Sequence, residues 1–179
     1  MSRVKGNYIK NHRMANKGKL FEKEVILSNT AYKNSGIALI QKISTPWNVV
    51  RQGKKIVSAF PEEKSTLDFR GTVKGGMSVS FDCKETVNEN GLPLRNIEPH
   101  QIEYMRMAIA MGETSFILCY MKKLNKRFLI QGNIVVDHWD RWQENKGKRG
   151  FNYIPKELMT EVKSGKGIIL DYLKGLDKI

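Results

Sequence analysis

Cysteine is scarce: the chain holds two, Cys83 and Cys119, both inside apolar stretches. Neither has a second Cys or a His at the short spacing of a structural zinc site, so disulfides and zinc are not expected and both thiols read as core residues. Long hydrophobic runs are missing too. Nothing approaches the ~20 apolar residues of a membrane span, and the N-terminus MSRVKGNYIKNHRMANKGK has no apolar segment of the signal-peptide kind. A cytoplasmic protein that engages no membrane is the expectation. The third shortage is of acid: 18 Asp and Glu stand against 31 Lys and Arg in 179 residues, a net charge of +13. That excess needs an anionic partner, while 40% hydrophobic and 9% aromatic residues supply a packed core. A basic globular domain is implied rather than a disordered basic tail.

The positive charge is unevenly placed. Residues 1–19 carry Arg3, Lys5, Lys10, Arg13, Lys17 and Lys19 with no acid, which suits a basic arm following a phosphate backbone. Further clusters are Arg51, Lys54 and Lys55; Lys122, Lys123, Lys126 and Arg127; and Arg141, Lys146, Lys148 and Arg149. Taken singly, each reads best as a solvated loop. Together with the acid-free arm, and beside Trp47, Tyr120 and Trp142, they favour nucleic acid over an acidic membrane surface, because no basic amphipathic helix with a broad apolar face is present.

Neither internal repeats nor low-complexity segments divide the chain, so a flexible basic arm over 1–15 and a single domain over 16–179 are expected. Lys17 to Tyr32 reads as a helix with Asn16 as its cap, and Ile37 to Ile43 as a strand ending before Thr45-Pro46. Residues 47–60 form two β-prone arms around Gln52-Gly53-Lys54, a projecting hairpin with a basic tip. Leu67 to Val73 is a strand and Lys74-Gly75-Gly76 a turn. Met77 to Lys84 is a strand whose alternation puts Met77, Val79, Phe81 and Cys83 on one face and Ser78, Ser80, Asp82 and Lys84 on the other. Glu98 to Met111 reads as a helix with Pro99 in its first turn and Ile102, Met105 and Ile109 inward. Thr114 to Met121 and Arg127 to Val136 are expected strands joined by a basic turn, Asp137 to Asn145 a short helix, and Pro155 the start of another. Residues 167–176 fit strand or helix equally. The sum is a mixed α/β layer around a central sheet.

Chemistry concentrates on Thr66 to Lys84. Thr66 and Asp68 are two apart, as are Asp82 and Lys84, so on adjacent strands a sheet can gather two carboxylates and an ammonium on one face. Two carboxylates suit a hard divalent ion such as Mg²⁺, whose remaining sites go to water and substrate phosphate. A lysine held beside them stays charged and can orient water or offset charge developing on the phosphate. An Asp-x-Lys tripeptide alone is common and reads as an exposed ion pair. Asp68 on the preceding strand, in a chain suited to nucleic acid, changes that balance.

Asp68 followed by Phe81-Asp82-Cys83-Lys84 resembles the PD-(D/E)xK nuclease pattern, and more closely the RecU-type Holliday junction resolvases. The resemblance runs through Asn16-Lys17-Gly18 with Glu22, Thr45-Pro46, Ser65-Thr66-x-Asp68, Phe81-Asp82-Cys83-Lys84-Glu85-Thr86 and Pro99-His100-Gln101-Ile102-Glu103-Tyr104-Met105. It implies a restriction-endonuclease-like fold, with helices flanking a mixed central sheet and a projecting β-stalk at about 47–63. It also implies a homodimeric, Mg²⁺-dependent endonuclease, with Mn²⁺ as a substitute, that nicks four-way junction DNA symmetrically in recombination and repair, where recombination proteins would be its company. Carried over by position, Thr66, Asp68, Asp82 and Gln101 would hold or position the metal. Lys84 would stabilise the transition state, and Glu22 would be an accessory acid on the first helix. Arg51, Lys54 and Lys55 on the stalk, with Arg13, Lys17 and Lys19 on the arm, would contact DNA. Two departures stand out: Asp82 replaces the Glu usual at that position, and the Lys74-Gly75-Gly76 turn is one residue longer, which bears on strand register.

Two other readings compete: a non-catalytic module that binds branched nucleic acid, and a nuclease of the same superfamily with no junction preference. His12, His100 and His138 lie on unlike elements and do not suggest a shared general base. His100 is placed to position Gln101 or meet DNA, and the other two read as surface residues. Trp139 and Trp142 read as packing, and Phe116, Leu118 and Tyr120 as sheet core.

Overall fold

The computed structural model describes residues 20–44, 47–61, 66–146 and 148–176. The expected arm, with Arg13, Lys17, Lys19 and His12, lies outside the described residues, as do the Asn16 cap, Thr45-Pro46 and Ser65. A first helix, α1, covers 20–34. The strands are β1 (Ala38–Lys42), β2 (Trp47–Gln52), β3 (Lys55–Pro61), β4 (Phe69–Val73), β5 (Met77–Thr86), β6 (Gly91–Pro93), β7 (Thr114–Met121), β8 (Lys126–Gln131), β9 (Tyr153–Pro155) and β10 (Thr160–Val162). Two more helices are α2 (Pro99–Ala110) and α3 (Gly132–Glu144). Six strands form one mixed sheet in the order β1-β4-β5-β7-β8-β10, while β2–β3 and β6–β9 are separate pairs. Among the described residues no helix is long and apolar enough to cross a membrane.

β5 and β7 pair in parallel and the remaining neighbours of the large sheet are antiparallel. A parallel pair needs a crossover, which α2 supplies, so its first turn arrives beside the end of β5. Each face of the sheet has its own core. On one, Phe69, Phe81 and Phe116 stack across β4, β5 and β7 with centroids 4.9 and 4.7 Å apart, under Phe21, Val25 and Tyr32 of α1. On the other, Ile102 and Met105 of α2 and Val135 and Val136 of α3 close over Ile117, Cys119 and Ile130. Trp139 and Trp142 pack edge to face against this second core, and both thiols are free, as expected. Buried polar groups of α1 dock the C-terminal segment. The Tyr32 hydroxyl donates to Asp171 at 2.9 Å, Ser28 Oγ accepts from the Leu170 amide at 3.0 Å, and Tyr172 donates to Asn29.

Most expected elements appear within a few residues of their places, with three differences. The strand expected over Arg127 to Val136 stops at Gln131, and α3 starts at Gly132, five residues before the expected helix. The β-branched run Ile134-Val135-Val136 suggested a strand, but Val135 and Val136 are buried on one helical face, so packing overrides propensity. Gly132 allows the switch: a Cβ there would lie 2.5 Å from the Ser115 carbonyl oxygen. Pro155 closes β9 and leads into a 3₁₀ turn, Lys156–Leu158, instead of opening an α-helix. The segment left between strand and helix is neither; it holds a single bridge, Gly165 to Ile168, and a 3₁₀ turn, Leu173–Gly175.

Candidate functional site

The register of β4 against β5 is unbroken from Val73↔Met77 to Phe69↔Phe81, so the longer turn at Lys74-Gly75-Gly76 does not shift it. Gly75 and Gly76 take φ near +95° (96° and 94°), which absorbs the extra residue in the turn. Carrying the register one step on sets Asp68 opposite Asp82. The alternation of β5 holds as expected, with Val79 and Phe81 in one core, but its polar face is not open to water. Ser80 and Asp82 are each 1% exposed, because α2 and β7 cover them. The Asp-x-Lys motif is therefore buried, not an exposed surface pair.

Asp82 is the buried carboxylate of the site. Lys84 Nζ forms an ion pair with its Oδ2 at 2.6 Å, and the buried carboxylate receives no other donor among the described residues. A buried carboxylate with one cation against one of its oxygens is costly while the other oxygen goes unsatisfied, and a second cation would relieve that cost. Asp68 is half-buried, and its Oδ2 receives the Cys83 amide at 3.4 Å. Burial, reinforced by the adjacent Asp82 charge, pushes the Asp68 carboxyl up to about 7, against the opposing pull of the Cys83 amide and Lys84.

Lys84 is held from the far side. Its Nζ donates to Gln101 Oε1 at 2.9 Å, and the same oxygen accepts the Glu98 amide at 3.1 Å. Gln101 is also the third residue of α2 in a reciprocal capping box with Glu98, so the helix start and the position of the ammonium are fixed by one side chain. With both lone pairs engaged, Gln101 reaches the carboxylates through Lys84. Glu22 joins from α1, paired with Lys42 at the end of β1. That pairing raises the Lys42 ammonium, and Asp68 and Cys83 add to the effect, which places Lys42 on the flank of the acidic pair. Thr66 is exposed in the bend two residues before Asp68 and stands outside the bonded set of described residues. His100 is half-buried with Nδ1 unpartnered, and His138 is half-buried with Nδ1 on the Ile134 carbonyl oxygen rather than at the surface.

The donor set fits a hard divalent cation. Two carboxylates face each other, and Asp68 is pushed toward its protonated form by burial and then by the Asp82 charge, so a cation between them would relieve both. The described residues contain no cluster of three His, Cys, Asp or Glu suited to a metal, so the remaining coordination would fall to water and phosphate oxygens. Lys42 was missed in the sequence, although its place at the end of a strand paired with β4 is readable once the register is known. The capping box at Glu98-Pro99-His100-Gln101 gives Gln101 a structural role at the helix start.

The basic residues divide sharply. Arg51, Lys54 and Lys55 ride on β2–β3, whose residues 48–60 are all exposed and which turns at Gly53 with φ +62°. No ion pair holds any of the three among the described residues. By contrast Lys122, Lys123, Lys126 and Arg127 each face an acid: Glu85, Glu89, Glu161 and Glu24 respectively.

The family model for recombination protein U matches residues 16–178. Holliday junction resolvase RecU of Pediococcus pentosaceus is 32% identical over 170 residues, which is 91% of this chain and 84% of that protein. The protein of the same name from Geobacillus kaustophilus is 31% identical over 171 residues, covering 92% of this chain and 82% of its own. Among solved structures, Hjc, a Holliday junction resolvase of Archaeoglobus fulgidus, matches with a TM-score of 0.40 and 9% identity over 66% of this chain and 75% of that chain.

Proposed function

Since the chain belongs to the recombination protein U family, we propose that it is a divalent-metal-dependent endonuclease that resolves four-way DNA junctions. The observation that carries the reading is the apposition of Asp68 and Asp82 on one sheet face with the Lys84 ammonium 2.6 Å from Asp82. Asp68 and Asp82 would hold the ion, with Mg²⁺ the natural choice for carboxylate and phosphate oxygens and Mn²⁺ a substitute. Such an ion supplies Lewis acidity toward the scissile phosphate and lowers the pKa of attacking water.

Every other part of the reaction falls to the chain itself. Lys84, held between Asp82 and Gln101, would present positive charge where charge builds on the phosphate. Gln101 would hold that ammonium in place from the side away from Asp82. Glu22 holds Lys42 at the flank, so a second cation faces the incoming backbone. Thr66, exposed two residues before Asp68, would help to position the metal. Arg51, Lys54 and Lys55 on the projecting hairpin, with Arg13, Lys17 and Lys19, would track phosphates and select the branched substrate. A homodimer would set one site at each of the two equivalent strands of the junction and so pair the nicks.

The test compares Asp82→Ala with the unmodified protein on a synthetic four-way junction with Mg²⁺. Loss of cutting with retained binding supports the reading. Equal cutting by both proteins overturns the mechanism, and binding without any cutting by the unmodified protein favours a non-catalytic junction-binding module.

A further inference from the structure

A polar cluster on the same face of the sheet is left over by this account. Alternation along β4 puts Arg70 on the face of Asp68, roughly 6–7 Å further along an antiparallel strand. Its pairing partner is Ser80, on the face of β5 that carries Asp82. The Arg70 guanidinium donates to Glu113 Oε2 at 3.0 Å. The partners are unequal: the Glu113 side chain is 8% exposed and the Arg70 side chain 56%. The other Glu113 oxygen is buried without a partner. Tyr104, one turn beyond Gln101 on α2, completes the group beside Glu113, Arg70 and Ser80.

A buried carboxylate thus grips one corner of an exposed guanidinium. Five N–H donors fan from that side chain, and the bond to Glu113 uses one of them. The side chain is 56% exposed, and the bond to Glu113 restrains its planar fork, which lowers the entropy lost when an anion binds the remaining donors. The face needs such a group, because Asp68 and Asp82 repel a phosphate approaching along the sheet. We propose that Arg70 is a positioning residue that binds the DNA phosphate next to the scissile one, with Glu113 holding it in place. This rests on the nuclease reading above and adds to it a contact beyond the metal site and the hairpin.

The rival account makes Arg70 merely the counter-ion of Glu113, and junction binding without metal separates the two. Once the cut bond is mapped with Mg²⁺, junctions carrying a neutral methylphosphonate at either neighbouring phosphate are titrated in EDTA with the unmodified protein, Arg70→Gln and Arg70→Lys. For the unmodified protein one of the two substitutions should weaken binding about tenfold, the low end for a hydrogen bond between charged groups. Arg70→Gln should bind the ordinary junction about tenfold more weakly, lose nothing more to the methylphosphonate, and show a salt slope smaller by about 0.9. Arg70→Lys should restore the slope but only part of the affinity. Because Arg70→Gln strands a buried acid, the double variant Arg70→Gln/Glu113→Gln repeats the measurement with neither charge present. If the methylphosphonate weakens both variants as much as the unmodified protein, or weakens none, Arg70 is only a counter-ion. If the unmodified protein binds no junction under any condition, the nuclease reading itself fails and takes this assignment with it.

Discussion

Two hairpins of this protein carry basic tips of similar size, and they have opposite surroundings. The β7–β8 turn belongs to the large sheet, and its four cations each face a carboxylate. Arg127 meets Glu24 through two bonds of 2.7 and 3.0 Å and lies 4.3 Å over the Tyr120 ring. The β2–β3 hairpin stands apart from that sheet, has no acid of its own between 47 and 61, and exposes Arg51, Lys54 and Lys55. The sequence shows two clusters, of three and four cations; the structure shows the four already matched by acids and the three not. Net charge therefore overstates the surface on offer to DNA, since matched cations release few counter-ions when a phosphate arrives.

Neutralising the hairpin should have the largest effect. Arg51→Gln/Lys54→Gln/Lys55→Gln is expected to lower the slope of log affinity for a four-way junction against log salt by about 2.7 per chain, at about 0.9 for each phosphate contact. Its folding stability should stay within about 0.5 kcal/mol, as for exposed positions. Salt titrations by fluorescence anisotropy, with urea unfolding alongside, measure both. An unchanged slope would mean that the hairpin is not a DNA surface.

The converse variant sharpens the contrast. Lys122→Gln/Lys126→Gln/Arg127→Gln should leave the salt slope alone and cost about 1–2 kcal/mol of stability, the sum of three partly exposed pairs at about 0.2–1 kcal/mol each with the bidentate Arg127 at the upper end. Urea midpoints give the cost. A slope that falls as far as in the hairpin variant would erase the distinction.

Acids show the same division, and pH exposes it. Glu161 is held below the usual range by Lys126, so its contribution to stability is lost as acid is added. Asp68 faces Asp82 instead, and its carboxyl is raised from 3.8 to about 7. A raised carboxyl means that the folded state binds more protons than the unfolded one between those values. Metal-free protein should therefore lose stability as pH rises from about 4 to about 7 and level off above. Asp68→Asn should flatten that decline, and thermal unfolding across pH in EDTA checks it.

Much of the site was legible because period-two alternation is robust. Asp68, Asp82 and Lys84 could be put on one face from spacing alone, and the hairpin from its turn residues. What spacing could not supply was the covering of that face. Spacing puts Ser80 and Asp82 on one face of β5 but says nothing of their burial, and that burial sets the Asp82–Lys84 pair apart from an ordinary surface ion pair. Lys42 and Glu113 escaped because their partners, Glu22 and Arg70, lie 20 and 43 residues away. Gln101 is expected to hold or position the metal, and its contacts in the structure are with Lys84 and the Glu98 amide, 17 and 3 residues away. The α3 start was misread because Ile134-Val135-Val136 carries a strong β signal that helix packing overrides.

The smallest expected effect is the most discriminating for the two hairpins. Lys123 pairs loosely with Glu89 at 3.7 Å, and both side chains are more than half exposed, at 61% and 51%. It is the member of the matched cluster most like Arg51 in freedom, so it asks whether matching or mere position keeps the β7–β8 turn off DNA. If matching by an acid decides, Lys123→Gln should shift stability by less than about 0.5 kcal/mol and leave the salt slope unchanged, because even a loose pair at this range keeps its counter-charge in place. Arg51→Gln, with no acid beside it, should lower the slope by about 0.9. Equal slopes for the two single variants would show that exposure alone selects the DNA-binding cations, and the turn at Lys122–Arg127 would then have to be counted as a second contact surface.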